Sequence, residues 1–285
     1  MSNALRETLA RGQFITAPGV FDMMSAIIAD KVGFDFIYAS GFWLTASHLG
    51  LPDAGIATYT QMLDRMSTLS ATSSATIIAD ADTGYGGLLN VHHTVRGYEQ
   101  AGIAAVQIED QIFPKKCGHT RNKQVVRTAE MVAKIKVACE ARRNLDTVII
   151  ARTDTRQVEG FEAALERARA FEEAGADIIF MEALESVEEM KIACRAATRP
   201  MMANMVEGGK TPVLSPNALQ EIGYSLAIYP ATTSLAALSA IETALRTLKD
   251  PTRADNDAEL FDFSEMCSLL GFDEVWDFES RWSLV

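Results

Sequence analysis

Short apolar runs alternate with longer amphipathic stretches along the whole of this 285-residue chain. Eight runs read as strands: Phe14–Ala17, Phe36–Ala39, Thr76–Ala79, Ala104–Ile108, Val148–Ala151, Ile178–Met181, Met201–Ala203 and Leu226–Ile228. The stretches between and after them read as helices: Asp22–Lys31, Thr58–Ser70, Val91–Ala101, Thr128–Glu140, Gly160–Ala174, Ser186–Ala196, Ser215–Ile222 and Thr232–Leu248. The 3.6-residue period is plainest from Glu162 to Phe171. Gly33, Gly102, Gly175 and Gly223 each stand where a helix gives way to a new apolar run, the usual place for a left-handed cap.

Eight strand-then-helix units of this size predict an α/β fold, a (β/α)8 TIM barrel. A doubly wound open sheet is the competing arrangement. The polar residues separate the two. The strands run out into Ser40, Asp80, Glu109, Arg152, Glu182, Asn204 and Tyr229. Barrel enzymes collect their chemistry from the C-terminal ends of many strands, whereas an open sheet concentrates it at one switch point. The expected organisation is a catalytic barrel over residues 1–250 and a C-terminal helical arm over 251–285. The arm carries Phe261, Phe263, Trp276, Phe278 and Trp282, too many aromatics for a solvated tail. It packs either on its own barrel or on a neighbouring subunit.

Composition narrows the partners. At 48% hydrophobic and 22% charged, the chain is an ordinary globular one. No apolar run approaches the roughly 18 residues of a membrane span, and Met1–Gly12 lacks a signal-peptide core, so a cytoplasmic protein is expected. The four cysteines, at 117, 139, 194 and 267, show neither disulfide nor zinc spacing. The formal charge of −12 argues against nucleic acid and anionic membranes. It leaves a small anionic substrate open, because a bound metal and a few local cations set the field there.

Asp80 and Asp82 leave the third strand on one side, and paired carboxylates are hard donors suited to Mg²⁺ or Mn²⁺. Glu109, ending the next strand, offers a third. The alternative is a turn with surface aspartates. Arg152 is placed to fork a substrate carboxylate, with Asp154 as its support; the alternative is an internal Arg152–Asp154 salt bridge. Glu182, Asn204 and Glu207 read as further contacts. Lys115-Lys116-Cys117-Gly118-His119 puts two ammoniums, a thiol, a glycine and an imidazole on one loop. Such charge favours the thiolate; the alternative is a solvated lysine loop with an incidental cysteine. Gly208-Gly209-Lys210-Thr211 lacks the first glycine of a phosphate loop, and His92-His93 lacks the i, i+4 spacing of a zinc helix.

Taken together, Tyr38-Ala39-Ser40-Gly41, Gly50-Leu51-Pro52-Asp53, Asp80 to Gly87, Glu109-Asp110-Gln111, Lys115 to His119, Ala151 to Asp154 and Ala203-Asn204-Met205 resemble the isocitrate lyase / phosphoenolpyruvate mutase superfamily. The resemblance runs from about Leu5 to Leu248. The cysteine in the loop resembles the C–C lyase branch; the phosphonate enzymes lack it. The resemblance implies a TIM barrel, a homotetramer with a helix swapped between subunits, and Mg²⁺ on Asp80, Asp82 and Glu109. It gives Cys117, Tyr38, His119 and Lys115 catalytic parts. It gives substrate contacts to Ser40, Gly41, Phe42, Asp53, Gly118, Arg152, Glu182, Asn204 and Thr232.

The implied reaction is cleavage of a 2-hydroxy dicarboxylate, of the 2,3-dimethylmalate or 2-methylisocitrate type, to pyruvate or a related 2-oxo acid plus a carboxylate. Tyr38 serves as base, Cys117 as the proton donor to carbon, and Gly118 as the hinge of a closing loop. One departure bears on specificity: Leu235 stands where methylisocitrate lyases carry an arginine six residues after the last strand's tyrosine. That points to a dicarboxylate over a tricarboxylate. An oxaloacetate-type C–C hydrolase and a non-catalytic barrel that binds small acids are the remaining alternatives.

Overall fold

Eight parallel strands hydrogen-bond in sequence order and close between β8 and β1, as the computed structural model shows. It describes residues 3–118, 122–250, 252 and 259–283. The chain forms two compact units, Met1–Ser234 and Leu235–Val285. In the first, α1 (Ala4–Ala10) precedes β1 (Ile15–Val20), α2 (Met23–Val32), β2 (Phe36–Ala39), α3 (Gly41–Leu49), α4 (Tyr59–Thr72), β3 (Thr76–Asp80), α5 (Leu88–Gln100) and β4 (Ala105–Glu109). Then come α6 (Thr128–Ala141), β5 (Val148–Thr153), α7 (Phe161–Glu173), β6 (Ile178–Met181), α8 (Val187–Ala196), β7 (Met201–Asn204), α9 (Pro216–Ile222) and β8 (Leu226–Tyr229). The division between the units falls within α10 (Thr232–Lys249); α11 (Phe263–Leu269) and α12 (Phe272–Trp282) complete the second.

Closure settles the choice against an open sheet. Local chemistry sets the helix ends. Asp22 and Thr58 open α2 and α4 with capping boxes, and Ser215 caps α9 ahead of Pro216. Gly33 and Gly223 close α2 and α9 in the left-handed conformation. The periodicity missed α1 and α3. In α3 no polar face breaks the apolar run that starts in β2, so strand and helix merge in the sequence. The strands also reach further than the runs suggest: β1 continues to Val20 and β5 to Thr153. Arg152 is therefore a strand residue.

Period-2 alternation divides the core in two. Ile15, Ala17, Phe36, Tyr38, Ile78, Ala105, Val148, Ile150, Ile178, Phe180, Met202, Leu226 and Ile228 fill the barrel interior, with Leu5 of α1 packed in the same cluster. The opposite parity, with Ile37, Ile77, Val106, Ile149, Ile179 and Ala203, packs against the helices. At β1, the Cβ of any residue replacing Gly19 would lie 2.4 Å from the Pro230 carbonyl oxygen. Only glycine lets the strands close there.

In the second unit, α11 is capped by Asp262 and passes to α12 through left-handed Gly271. Phe272 stacks near Trp276 and Phe278 near Trp282. Leu238, Ile241, Leu245 and Leu248 form one exposed stripe on α10, and α12 exposes Val275, Trp276, Phe278 and Trp282. No helix among the described residues is long and apolar enough to cross a membrane.

Candidate active site

The interior parity continues past the apolar layers and delivers the chemistry. Two residues after Tyr38, Ile78, Ile150, Phe180, Met202 and Ile228 stand Ser40, Asp80, Arg152, Glu182, Asn204 and Pro230, and all six line one cavity of about 140 Å³. Tyr38, Phe42, Trp43, Asp53, Glu109, Lys115, Lys116, Cys117, Gly118, Val206, Ile228 and Ala231 complete its walls.

Acid outnumbers base here. Among the described residues, Asp53, Asp80, Asp82, Glu109, Asp154 and Glu182 meet three buried cations, Lys115, Lys123 and Arg152. Burial pushes the Asp82 carboxyl up to about 7; Lys115 opposes the shift, while Asp80 and Asp53 add to it. Burial likewise raises Glu109 well above the ordinary carboxylate range, against the pull of Arg152 and Lys115. The buried Oε1 of Glu109 makes no hydrogen bond among the described residues. Asp80 Oδ1 accepts from Asp82 N at 3.0 Å and from Gln107 Nε2 at 3.3 Å. A Cβ at Gly41 would sit 2.8 Å from Asp80 Oδ2 and 3.3 Å from Asp82 Oδ1, so the two carboxylates converge on that glycine. No three His, Cys, Asp or Glu side chains among the described residues form a ready metal cage. Mg²⁺ suits such a place, since it is held by one or two carboxylates and completed by water and substrate.

The loop after β3 is held under strain. Asp82 and Tyr85 take positive φ, 49° and 57°, costly without glycine. Three residues pin its carbonyls: Tyr98 hydroxyl donates to Asp80 O, Thr94 to Gly84 O, and buried Lys134 to Thr83 O at 3.0 Å.

Arg152 makes the internal salt bridge to Asp154. Its Nε and Nη2 fork Asp154 at 3.0 and 3.2 Å. Nε also lies 3.4 Å from Glu109 Oε2, and Nη2 3.1 Å from Glu182 Oε2. The guanidinium still lines the cavity. Asn204 Nδ2 donates to Glu182 Oε2 at 3.0 Å. Tyr38 hydroxyl donates to Gln107 Oε1 at 3.0 Å. Burial, reinforced by Asp80, raises its pKa well above the ordinary tyrosine value, so it is a phenol here, not a phenolate.

The cysteine loop is tied at several points. Lys115 Nζ is bound to Asp53 and Asp82, and Lys116 Nζ donates to Asn122 O at 3.3 Å. Gly118 is not in the left-handed region. It is needed for close approach: an added Cβ would stand 2.1 Å from Arg152 Nη2 and 2.9 Å from Glu182.

Of the expected site residues, Thr232 stands apart from the cavity lining; it is exposed, with its hydroxyl on Glu207. Tyr229 has the outward parity and packs against the helix-side core. His119 lies outside the described residues. Leu235 is an exposed residue of the second unit. The sequence reading missed the apolar wall of Trp43, Val206, Pro230 and Ala231, and the linking amide Gln107. A signal existed for Gln107, the one polar residue inside the run Ile103–Ile108.

The family model for phosphoenolpyruvate phosphomutase matches residues 5–249. The chain is 43% identical over 280 residues to 2,3-dimethylmalate lyase of Eubacterium barkeri, covering 98% of this chain and 97% of that protein. It is 44% identical over 278 residues to 2-methylisocitrate lyase of Aeropyrum pernix, covering 97% and 88%. Among solved structures, a 2,3-dimethylmalate lyase superposes with a TM-score of 0.92 at 36% identity over 99% of this chain and 95% of that one. An oxaloacetate acetylhydrolase superposes with a TM-score of 0.92 at 34% identity over 98% and 96%. With a family match over most of its length on a closed barrel of this design, the chain belongs to the phosphoenolpyruvate mutase/isocitrate lyase superfamily.

Proposed function

We propose that this protein is a Mg²⁺-dependent carbon–carbon lyase. It cleaves the C2–C3 bond of a 2-hydroxy dicarboxylate to a 2-oxo acid, such as pyruvate, and a second carboxylate. One observation carries the reading: the cysteine of the loop, a guanidinium and an excess of buried carboxylate share one cavity. An anionic substrate enters such a place only with added positive charge.

Asp80 and Asp82, with Glu109, would hold Mg²⁺ or Mn²⁺, which would supply Lewis-acid charge to the bound substrate. The first backbone N–H groups of α3, at Ser40, Gly41 and Phe42, bind a carboxylate of the oxo-acid fragment. Arg152 neutralises the same end. Tyr38 takes the hydroxyl proton once added positive charge offsets its burial and the field of Asp80. The C2–O bond becomes the carbonyl and the C2–C3 bond breaks. The electron pair left on C3, spread into its carboxylate, takes a proton from the Cys117 thiol. Glu182, Asn204 and His119 orient this second fragment, and Lys115, held by Asp53 and Asp82, adds fixed positive charge. Proton exchange with solvent resets thiol and phenol.

The apolar wall of Trp43, Val206, Pro230 and Ala231 suits a small alkyl substituent on C3. Among the described cations of the cavity, only Lys116 is exposed for a third carboxylate. We therefore place 2,3-dimethylmalate ahead of 2-methylisocitrate by at least about tenfold in kcat/KM. The enzyme is further proposed to be a cytoplasmic homotetramer in which the stripe on α10 and the aromatics of residues 251–285 cover one another across subunits.

The deciding assay is a panel of 2,3-dimethylmalate, 2-methylisocitrate and oxaloacetate, scored for released acids with Mg²⁺ present or chelated. Turnover of oxaloacetate alone would make the protein a hydrolase, and no turnover of any would leave a binding barrel. Sedimentation as a 31 kDa monomer at micromolar concentration would remove the tetramer.

A further inference from the structure

The segment between β4 and α6 leaves and returns at one place. Gln111 bridges Val125, Ile112 N donates to Gln124 O, and Val126 N donates to Asp110 O. The buried Gln111 side chain also grips the outgoing limb: its Nε2 donates to Lys116 O at 2.8 Å, and its Oε1 accepts from Lys116 N at 2.9 Å. That fixes the chain as far as Lys116. The thiol and the Gly118 approach to Arg152 come next, and they are fixed from the other limb.

Lys123, on the returning limb, is buried. Its Nζ donates to the Gly118 carbonyl and to Asp154 Oδ1, the latter at 2.7 Å. The same carboxylate forks Arg152. Burial pushes the Asp154 carboxyl up, but Arg152 and Lys123 outweigh it and bring it down to about 2. A buried ammonium is costly unless it is paired and hydrogen-bonded, and both of its partners here belong to the site's frame. We propose that Lys123 is a positioning residue for Cys117. It ties the backbone beside the thiol to the carboxylate that holds Arg152, so that thiol and guanidinium are set in one frame. It touches no reacting atom.

The test uses the full-length enzyme with Mg²⁺ and the variants Lys123→Met and Lys123→Arg. Two quantities are read: the split between kcat and KM, and the rate at which iodoacetamide labels Cys117, followed by peptide mass spectrometry with Cys139 as internal reference. Lys123→Met is expected to lower kcat by about 10²-fold with KM within about threefold, the scale of an ångström's misplacement. Cys117 should label at least about tenfold faster, as a local opening predicts, with Cys139 unchanged. Lys123→Arg should recover kcat to within about fivefold, since it keeps donors for both partners. If Lys123→Met does not fold, Lys123→Gln is read in the same way, since it keeps a donor for Gly118 but no charge for Asp154.

Unchanged labelling of Cys117 would overturn the proposal, as would Cys139 labelling rising in parallel, which means general loosening. A raised KM at constant kcat would also overturn it, making Lys123 a substrate contact. The kcat arm rests on Cys117 being the proton donor; the labelling arm does not. Faster labelling with unchanged kcat would therefore uphold the positioning role and remove Cys117 from the reaction.

Discussion

Lys115 Nζ lies 2.7 Å from Asp82 Oδ1, and its other partner is Asp53 Oδ1 at 2.5 Å. The ammonium is the only cation within ion-pair reach of Asp82 among the described residues; both of these are buried, and the Asp53 side chain is 6% exposed. Burial disfavours the ammonium, but Asp82, Glu109 and Asp53 outweigh it and hold Lys115 charged.

Lys115→Met is expected to leave two buried carboxylates without their counter-charge. Breaking a buried pair from one side costs about 3–5 kcal/mol. Urea denaturation in chelator should show a loss of that order, with part recovered on adding Mg²⁺. An unchanged midpoint would mean that Asp53 and Asp82 carry no charge in the folded protein.

Excess chelator should abolish 2-oxo acid release, and added Mg²⁺ should restore it. Asp80→Ala should do the same irreversibly while far-UV circular dichroism is retained, because the residue ends its strand at the barrel mouth. Full activity in chelator would end the reading of Asp80 and Asp82 as metal ligands.

Cys117→Ser keeps the shape of the loop and replaces the thiol by a far weaker acid. A loss of roughly 10²–10⁴ in kcat is expected, the contribution typical of a general acid, with little change in Mg²⁺ dependence. A thioether adduct with substrate, seen by mass spectrometry, would instead make Cys117 a nucleophile.

Gly118→Ala places a methyl group 2.1 Å from Arg152 Nη2. The guanidinium or the loop must move. A fall of about 10²-fold in kcat/KM is expected, with thermal stability lowered far less than by Lys115→Met. Wild-type kinetics would show that the loop stands further from Arg152 in solution.

Asp154 gives a pH signature. Its folded carboxyl lies at about 2, against an ordinary value of 3.8. A depressed acid stabilises the fold fully above its unfolded pKa and loses that contribution as pH falls through the folded one. The stability gap between wild type and Asp154→Asn should therefore be constant down to about pH 5 and shrink toward pH 2. Chemical denaturation at intervals across that range measures it; a gap that widens in acid would contradict the assignment.

Much of this is legible in the sequence, for a definite reason. Barrel strands have a period of two, so an apolar residue facing inward announces that the residue two places on also faces inward. That is why Asp80, Arg152, Glu182 and Asn204 could be read off strand ends. Tyr229 broke the pattern because it stands one place out of phase. What stayed hidden is contact between distant segments. Lys123 looks like a surface lysine until the fold brings Asp154, 31 residues away, to its ammonium. Lys115 likewise reads as a neighbour of Cys117 until the fold brings Asp53 and Asp82 to its ammonium.

Leu5, seated with Ile15, Val148, Ile178 and Leu226 at the foot of the interior, gives the barrel the form of a cup. Whatever enters at the rim must leave by the rim. Cleavage turns one guest into two in a vessel with a single exit, so both fragments have to leave by the way the substrate came in. The stopper at the far end thus sets the route of product release, which no residue lining the cavity encodes.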